Sequence, residues 1–313
     1  MGVTNFPWVL VLLATAATLG EVRARSVFNA DNCGPNFYGE IIQRSSIGRL
    51  REFPWLARLG YRKDGATEFH FQGTLIHPYY VLTTVFAANY NRNSLEYVRL
   101  GDYHTGTVED CQEIDEDEVC APAVQDITID YIIKHPRYND PKLANDVALI
   151  KLRQPANVSS EFVRPICVPV EEDFPFTENA LLFISAWCGS KQDGISAVPL
   201  QFRMQNLDSW SCASKLSPLI DINLHESQFC AVLDLDEKTK RKHKNVSLRG
   251  STGAPLQMLG KNGRFYQVGM SSIGVRNAAL DTPYVFVNLL LLADWLEQTV
   301  AAEEQNRLNT RVA

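Results

Sequence analysis

Three features of the sequence predict an all-β fold. Short runs rich in β-branched and aromatic residues recur along the chain between turn residues: FHFQGTLI, YYVLTTVFA, EYVRLGDY, ITIDYIIKH, DVALIKL, ALLFISAW, RFYQVGMSSIG and PYVFV. No βαβ alternation interrupts them, which points to a barrel or a sandwich. Seven cysteines follow an apolar N-terminal run, the usage expected where disulfides staple loops in an oxidising compartment.

The 313 residues are 45% hydrophobic and 21% charged, enough apolar matter for a sizeable core. A net charge of −6 offers no global attraction to nucleic acid or to an anionic membrane, so any polyanion binding must be local. Residues 1–24 read as a signal peptide: the apolar run from Pro7 to Gly20 is short for a membrane span and is followed by Arg23, Ala24 and Arg25, with cleavage expected near Ala24. No Lys or Arg precedes that run, which leaves a buried N-terminal helix or a retained anchor as the alternatives. Residues 25–41, containing Cys33, read as a leader, and residues 42–304 as the folded domain. The one helix with a clear apolar face is expected at Asn288–Glu304, where Leu289, Leu292, Trp295 and Leu296 share a side, with 305–313 as a polar tail.

Three runs in order carry a resemblance: YYVLTTVFAA looks like a degraded YVLTAAHC, NDVALIKL is close to NDIALIRL, and RGSTGAPL looks like a degraded QGDSGGPL. With EFPW, RPICVPV, SSIG, PYVFV and the terminal helix, the chain from Cys33 to Trp295 resembles the chymotrypsin-like serine proteases. The RPICVP segment and the acidic insertion between Cys111 and Cys120 are similar to arthropod clip-domain proteases and their non-catalytic homologues, although no clip domain is present. The resemblance implies two six-stranded antiparallel β-barrels with a C-terminal α-helix.

It also implies lost chemistry. Peptide hydrolysis needs a hydroxyl nucleophile, an imidazole base and a carboxylate that orients the imidazole. The matching positions are Thr252, Phe86 and Asp146. Phenylalanine has no titratable group, and loss of one triad member costs on the order of a million-fold in turnover, about 8 kcal/mol of barrier. Ser251 stands where the family keeps the carboxylate that captures the new amino terminus after activation, and in GEIIQRSS Ile41 precedes Ile42, so the matching cleavage point has neither the basic residue nor the Gly-Gly hinge, although Arg44 and Arg49 offer other points of cleavage. The pocket is expected to have Val246 as its floor and Gly274 and Tyr284 in its walls, with Tyr284 filling the slot; Gly250 retains an oxyanion-type donor. The implied disulfides are Cys33–Cys167, Cys111–Cys120 and Cys212–Cys230, leaving Cys188 as either a buried inert thiol or a reactive or intermolecular one.

Other surfaces extend these expectations. Asp102 and the acidic insertion are oxygen-rich, which suits Ca²⁺ or simply a solvated charge run. Lys238, Lys240, Arg241, Lys242 and Lys244 form a basic insertion suited to a polyanion, to nicking by a trypsin-like protease, or to plain solvation. Asn157 and Asn245 head glycosylation sequons. The resulting expectation is a secreted pseudoprotease, with no catalytic activity, that serves as cofactor, scaffold or decoy for proteases, their substrates or inhibitors in an extracellular, immune or melanisation cascade. A weak threonine-dependent endopeptidase and a protein recognising polyanions or microbial surfaces are the alternatives.

Overall fold

The computed structural model describes residues 26–28, 33–39, 46–90, 94–170, 181–189, 194–235, 247–275 and 279–312. The predicted signal peptide, the basic insertion from Lys238 to Lys244, Asn245 and Val246 lie outside the described residues. Strands β2 (Leu56–Lys63), β3 (Ala66–His77), β4 (Tyr80–Thr83), β9 (Ala148–Leu152), β8 (Gln125–Lys134) and β5 (Leu95–Leu100) pair in that order and close an antiparallel barrel. The second barrel is built from β11 (Leu200–Leu207), β10 (Leu182–Ala186), β13 (Pro255–Leu259), β14 (Phe265–Ile273), β15 (Tyr284–Asn288) and β12 (Gln228–Leu233), and pairing of β12 with β11 closes it. The short β1 (Ser46–Ile47) adds to the outside of β11. Closure removes the open edges that all-β proteins must otherwise protect. Among the described residues no helix is long and apolar enough to cross a membrane.

Trp55, fully buried at the entrance to β2, keys the barrels together. Its ring meets Phe53 and Phe265, and its indole N–H donates to Gln257 Oε1 at 2.9 Å. Gln257 in turn donates to Ser185 Oγ at 3.0 Å, so the buried amide is satisfied on both ends.

Two helices break runs that read as continuous strand or loop. The YYVLTTVFA run is strand only to Thr83: Thr84 accepts the N–H of Ala87 at 3.0 Å and caps α1 (Val85–Ala88). Asp208 caps α2 (Ser209–Leu216) in the same way through the N–H of Ser211. The acidic insertion is a hairpin, β6 (Cys111–Ile114) paired with β7 (Asp117–Cys120), turning through Asp115 and Glu116 at positive φ. Disulfides join Cys111 to Cys120 across it, Cys212 to Cys230 under α2, and Cys33 to Cys167.

The terminal helix differs from its predicted bounds at both ends. Leu289 to Leu292 form a turn, and α3 runs Ala293–Val312, so the expected tail is helical through Val312. Packing anchors the first half, with Leu292, Leu296 and Val300 buried. Electrostatics hold the second: Lys151, whose side chain is 8% exposed, bonds the Tyr80 hydroxyl and pairs with Glu304 at 3.2 Å. Arg307 pairs with Glu304 at 2.6 Å and lies 4.6 Å from the centroid of the Tyr79 ring. These partners on the barrel wall had no signature in the helical periodicity.

The leader is also more than a tether on Cys33. Phe28 is 1% exposed in the main hydrophobic core cluster, which joins first-barrel residues to Leu292, Leu296 and Val300; Glu297 of α3 accepts Ser26 Oγ and the N–H of Val27, and Gly34 exchanges backbone hydrogen bonds with Pro165 and Phe265. Phe28→Ala is therefore expected to lower stability by about 3–5 kcal/mol, the range for emptying a core phenylalanine site, as read from urea melts.

Burial raises the Glu304 carboxyl, but hydrogen bonds from Arg307 and Lys151 outweigh it and hold its pKa below the usual value. Its contribution is thus present above the unfolded-state pKa and lost as pH falls through the folded one. Glu304→Ala should cost about 3 kcal/mol at pH 7, because Lys151 is left buried without its carboxylate. The variant should also lose the steepening of acid destabilisation below about pH 4.3. The slope that persists at higher pH belongs to groups such as His77, whose imidazole burial lowers to about 4. Melts at stepped pH check both outcomes.

Candidate functional site

The two barrels meet at a cleft organised by Gln72 on β3. Its side-chain amide donates to the carbonyls of Trp187 at 2.9 Å and Gly250 at 2.7 Å, and its Oε1 accepts the N–H of Trp187 at 3.1 Å. Its backbone N–H donates to Thr252 O at 3.1 Å, and its carbonyl accepts Thr83 Oγ1 at 2.7 Å. One buried residue of the first barrel thereby holds the 250–253 turn of the second. Gly253, at φ +87°, packs so closely that a Cβ there would lie 1.9 Å from Gln72 O, so only glycine fits.

Asp146 lies just before β9 and is 6% exposed. Its Oδ1 accepts the backbone N–H of Phe86 at 3.0 Å, and its Oδ2 accepts Ser272 Oγ at 2.7 Å. Burial raises the carboxyl pKa, opposed by the Ser272 bond and by the N–H groups of Phe86 and Val85. The carboxylate therefore holds the start of α1, while the Phe86 side chain, 53% exposed, points out of the helix and offers no proton acceptor.

Thr252 is half-exposed, and its hydroxyl has no hydrogen-bond partner among the described residues. No described histidine bonds Thr252 or Asp146: His70 meets Glu68, His135 packs against Trp295, and His225 bonds Ser227. Ser251 is 2% exposed, and its Oγ shares a hydrogen bond with Ser271 Oγ at 3.0 Å, a neutral pair satisfied without any third group. Gly250 adopts φ +93°, and Ile195 reaches over it, with its Cδ1 2.8 Å from where a Cβ would stand.

Tyr284 is 9% exposed and lies along Gly274, whose Cβ would come within 3.1 Å of the tyrosine ring. Its hydroxyl accepts the N–H of Leu248 at 3.2 Å, and it packs in one cluster with Ala186, Cys188 and Leu248. The ring thus occupies the space between these segments. Cys188 is fully buried beside it, and burial pushes its thiol up to about 12, far from a reactive thiolate.

A feature that motif reading missed is an aromatic surface beside this turn. Phe71 contacts Phe86 at 5.6 Å and Tyr90 at 4.9 Å between ring centroids, and Tyr90 also contacts Tyr61 at 5.5 Å and His70 at 5.2 Å. Tyr61 is buried, whereas His70, Phe86 and Tyr90 face solvent. The available signal was the aromatic residue at Phe71, where the family resemblance puts half of a disulfide.

The expectation of Ca²⁺ at Asp102 is corrected. Its side chain, 4% exposed, pairs with Arg58 at 2.6 Å and has Arg99 at 3.8 Å, so guanidinium groups already occupy the positive position a calcium ion would take. Both guanidiniums also flank the Phe69 ring, at 4.5 and 4.6 Å. Asp110 is consumed by the N–H groups of Tyr103 and His104, which fold the loop ahead of the hairpin. Glu109, Cys111 and Cys120 lie close together, but the two sulfurs are bonded to each other and cannot ligate a metal as thiolates.

Residues 42–296 match the family model described as Trypsin. The chain is 30% identical over 275 residues to CLIP domain-containing serine protease B9 of Anopheles gambiae, covering 86% of this chain and 65% of that protein. It is likewise 30% identical over 257 residues to Phenoloxidase-activating factor 3 of Holotrichia diomphalia, covering 80% and 70%. Among solved structures, the Drosophila Grass clip serine protease of the Toll pathway superposes with a TM-score of 0.69 at 25% identity, over 88% of this chain and 77% of that one. With paired six-stranded barrels and a family match over most of its length, the chain belongs to the trypsin family.

Proposed function

We propose that this chain is a secreted, catalytically silent member of the trypsin family that acts by binding, as a cofactor, scaffold or decoy for proteases, their substrates or inhibitors in an extracellular cascade. The observation that carries the reading is the pairing at Asp146: the carboxylate that would orient a general base accepts the peptide N–H of Phe86, whose side chain cannot take a proton from Thr252. Two further features support it. The Ser251–Ser271 pair offers no charge to a new amino terminus, and Tyr284 fills the slot beside Gly274. The exposed rings of Phe86 and Tyr90 turn the edge of the former site into an apolar, aromatic surface of the kind enriched in protein contacts. The names of two relatives, a phenoloxidase-activating factor and a protease of the Toll pathway, support an immune cascade as the setting.

The purified chain, intact and after nicking by a trypsin-like protease, is expected to show no turnover of a broad peptide library and no labelling by a fluorophosphonate probe, with Thr252→Ala indistinguishable from the parent. Losing the base alone costs about a million-fold. Turnover or labelling that disappears in Thr252→Ala would restore the threonine-dependent hydrolase and end this reading. Capture experiments with body fluid should retrieve a protease, a protease substrate or an inhibitor.

A carboxylate with nothing to orient should be dispensable. Asn at position 146 still accepts from Phe86 N–H through its oxygen and donates to Ser272 Oγ through its nitrogen. Because the folded-state pKa of Asp146 is raised, the parent loses stability as pH rises from the unfolded value through the folded one. Asp146→Asn should therefore match or exceed the stability of the parent at pH 7. A loss above about 2 kcal/mol in denaturant melts would show that the ionised carboxylate has a structural role.

A further inference from the structure

The loop after β9 holds Asn157 in an unusual way. Its backbone N–H donates to Gln125 Oε1 at 2.8 Å, and its carbonyl accepts Gln125 Nε2 at 2.9 Å. One glutamine side chain at the start of β8 thus pins both peptide groups of the residue, while the buried Ala156 beside it anchors the loop to the barrel. With the main chain committed inward, the Asn157 side chain is exposed.

Its polar atoms are divided between two tasks. Oδ1 accepts both the N–H of Ser159 at 3.1 Å and the Ser159 hydroxyl at 2.7 Å, closing an Asx-type turn. Nδ2 has no acceptor among the described residues. The hydroxyl two positions on polarises the amide through its oxygen and leaves the nitrogen as the open, solvent-facing group, in an Asn-Val-Ser sequence with no proline at the middle position.

We propose that Asn157 carries an N-linked glycan, an inference that rests on the secretion part of the functional reading. In the transfer a bond forms between Asn157 Nδ2 and the anomeric carbon of a lipid-linked oligosaccharyl diphosphate. The bond from that carbon to the diphosphate oxygen breaks, the lipid diphosphate leaves with the electron pair, and one amide proton passes to a base of the transferring enzyme. The folded loop accommodates the product, because the Asn157 side chain is exposed and Nδ2 has no acceptor among the described residues.

The position of the glycan bears on what the protein can bind. Ala156 N–H donates to Pro78 O, so the loop sits beside the turn that precedes β4. β4 then runs away from it to Thr83, next to the helix that carries Phe86. The glycan leaves from the opposite end of the strand, about 10 Å or more along the barrel, and leaves the aromatic edge of the cleft uncovered.

The test is to express the full chain in eukaryotic secretory cells and digest the secreted protein with a peptide N-glycosidase in ¹⁸O-water, followed by peptide mass spectrometry. The expected result is Asn157 converted to ¹⁸O-labelled aspartate. That label should vanish in Asn157→Gln and in Ser159→Ala and persist in Ser159→Thr. Mapping by peptide keeps the second sequon at Asn245 from confusing the result. A secreted chain with bare Asn157 overturns the glycan alone. A chain that stays in the cells, uncleaved and bare, overturns the secretion reading and the glycan with it.

Discussion

The arrangement depends on one buried amide. Gln72 is 3% exposed, and every polar group it carries is used: the side chain reaches Trp187 and Gly250 and the backbone N–H reaches Thr252 across the cleft, while the carbonyl accepts Thr83 within the first barrel. Buried polar groups are tolerable only when satisfied, so these contacts fix the relative placement of β3 and the 250–253 turn as a set. A site built on such a clamp keeps its backbone shape when its side chains change. That is why a recognisable turn persists here around Ser251 and Thr252.

The replacements in the cleft are chemically coherent. A titratable base, an ionisable activation partner and an open pocket correspond here to a phenyl ring, a serine pair and a tyrosine with a satisfied hydroxyl. In the proposed reading each removes an element that a catalytic site must keep hydrated, charged or empty, and leaves a surface closer to a protein interior or interface. Further stabilising groups lie away from the cleft, in the Lys151–Glu304–Arg307 network and the leader held by Phe28 and Cys33.

Much of the fold was legible because it rests on local patterns. Strand runs, turn residues and three ordered motifs place both barrels, and the family resemblance supplies the cysteine partners. The short helices were not legible, since Thr84 and Asp208 act through caps a single residue long. The end of α3 escaped as well: Arg307 falls in the expected polar tail, and neither it nor Glu303 and Glu304 at the predicted helix end shows a partner until Tyr79, Tyr131 and Lys151 are brought beside them. Asp102 misled for the same reason, because an acidic residue next to an acidic insertion reads as a cation ligand unless the arginine facing it from another strand is known.

By itself the sequence determined which chemical groups stand at each position: that Phe86 cannot accept a proton, that Ser251 cannot carry a charge, and that short β-branched and aromatic runs recur between turn residues. Only the tertiary structure decided what those groups meet. It assigned the Asp146 carboxylate to a peptide N–H, the Tyr284 ring to the slot beside Gly274, and the Phe86 ring to a cluster with Phe71 and Tyr90. The reason is physical: residue type sets the range of interactions a side chain can make, whereas partners far apart in sequence and the exclusion of water around them select which one is made.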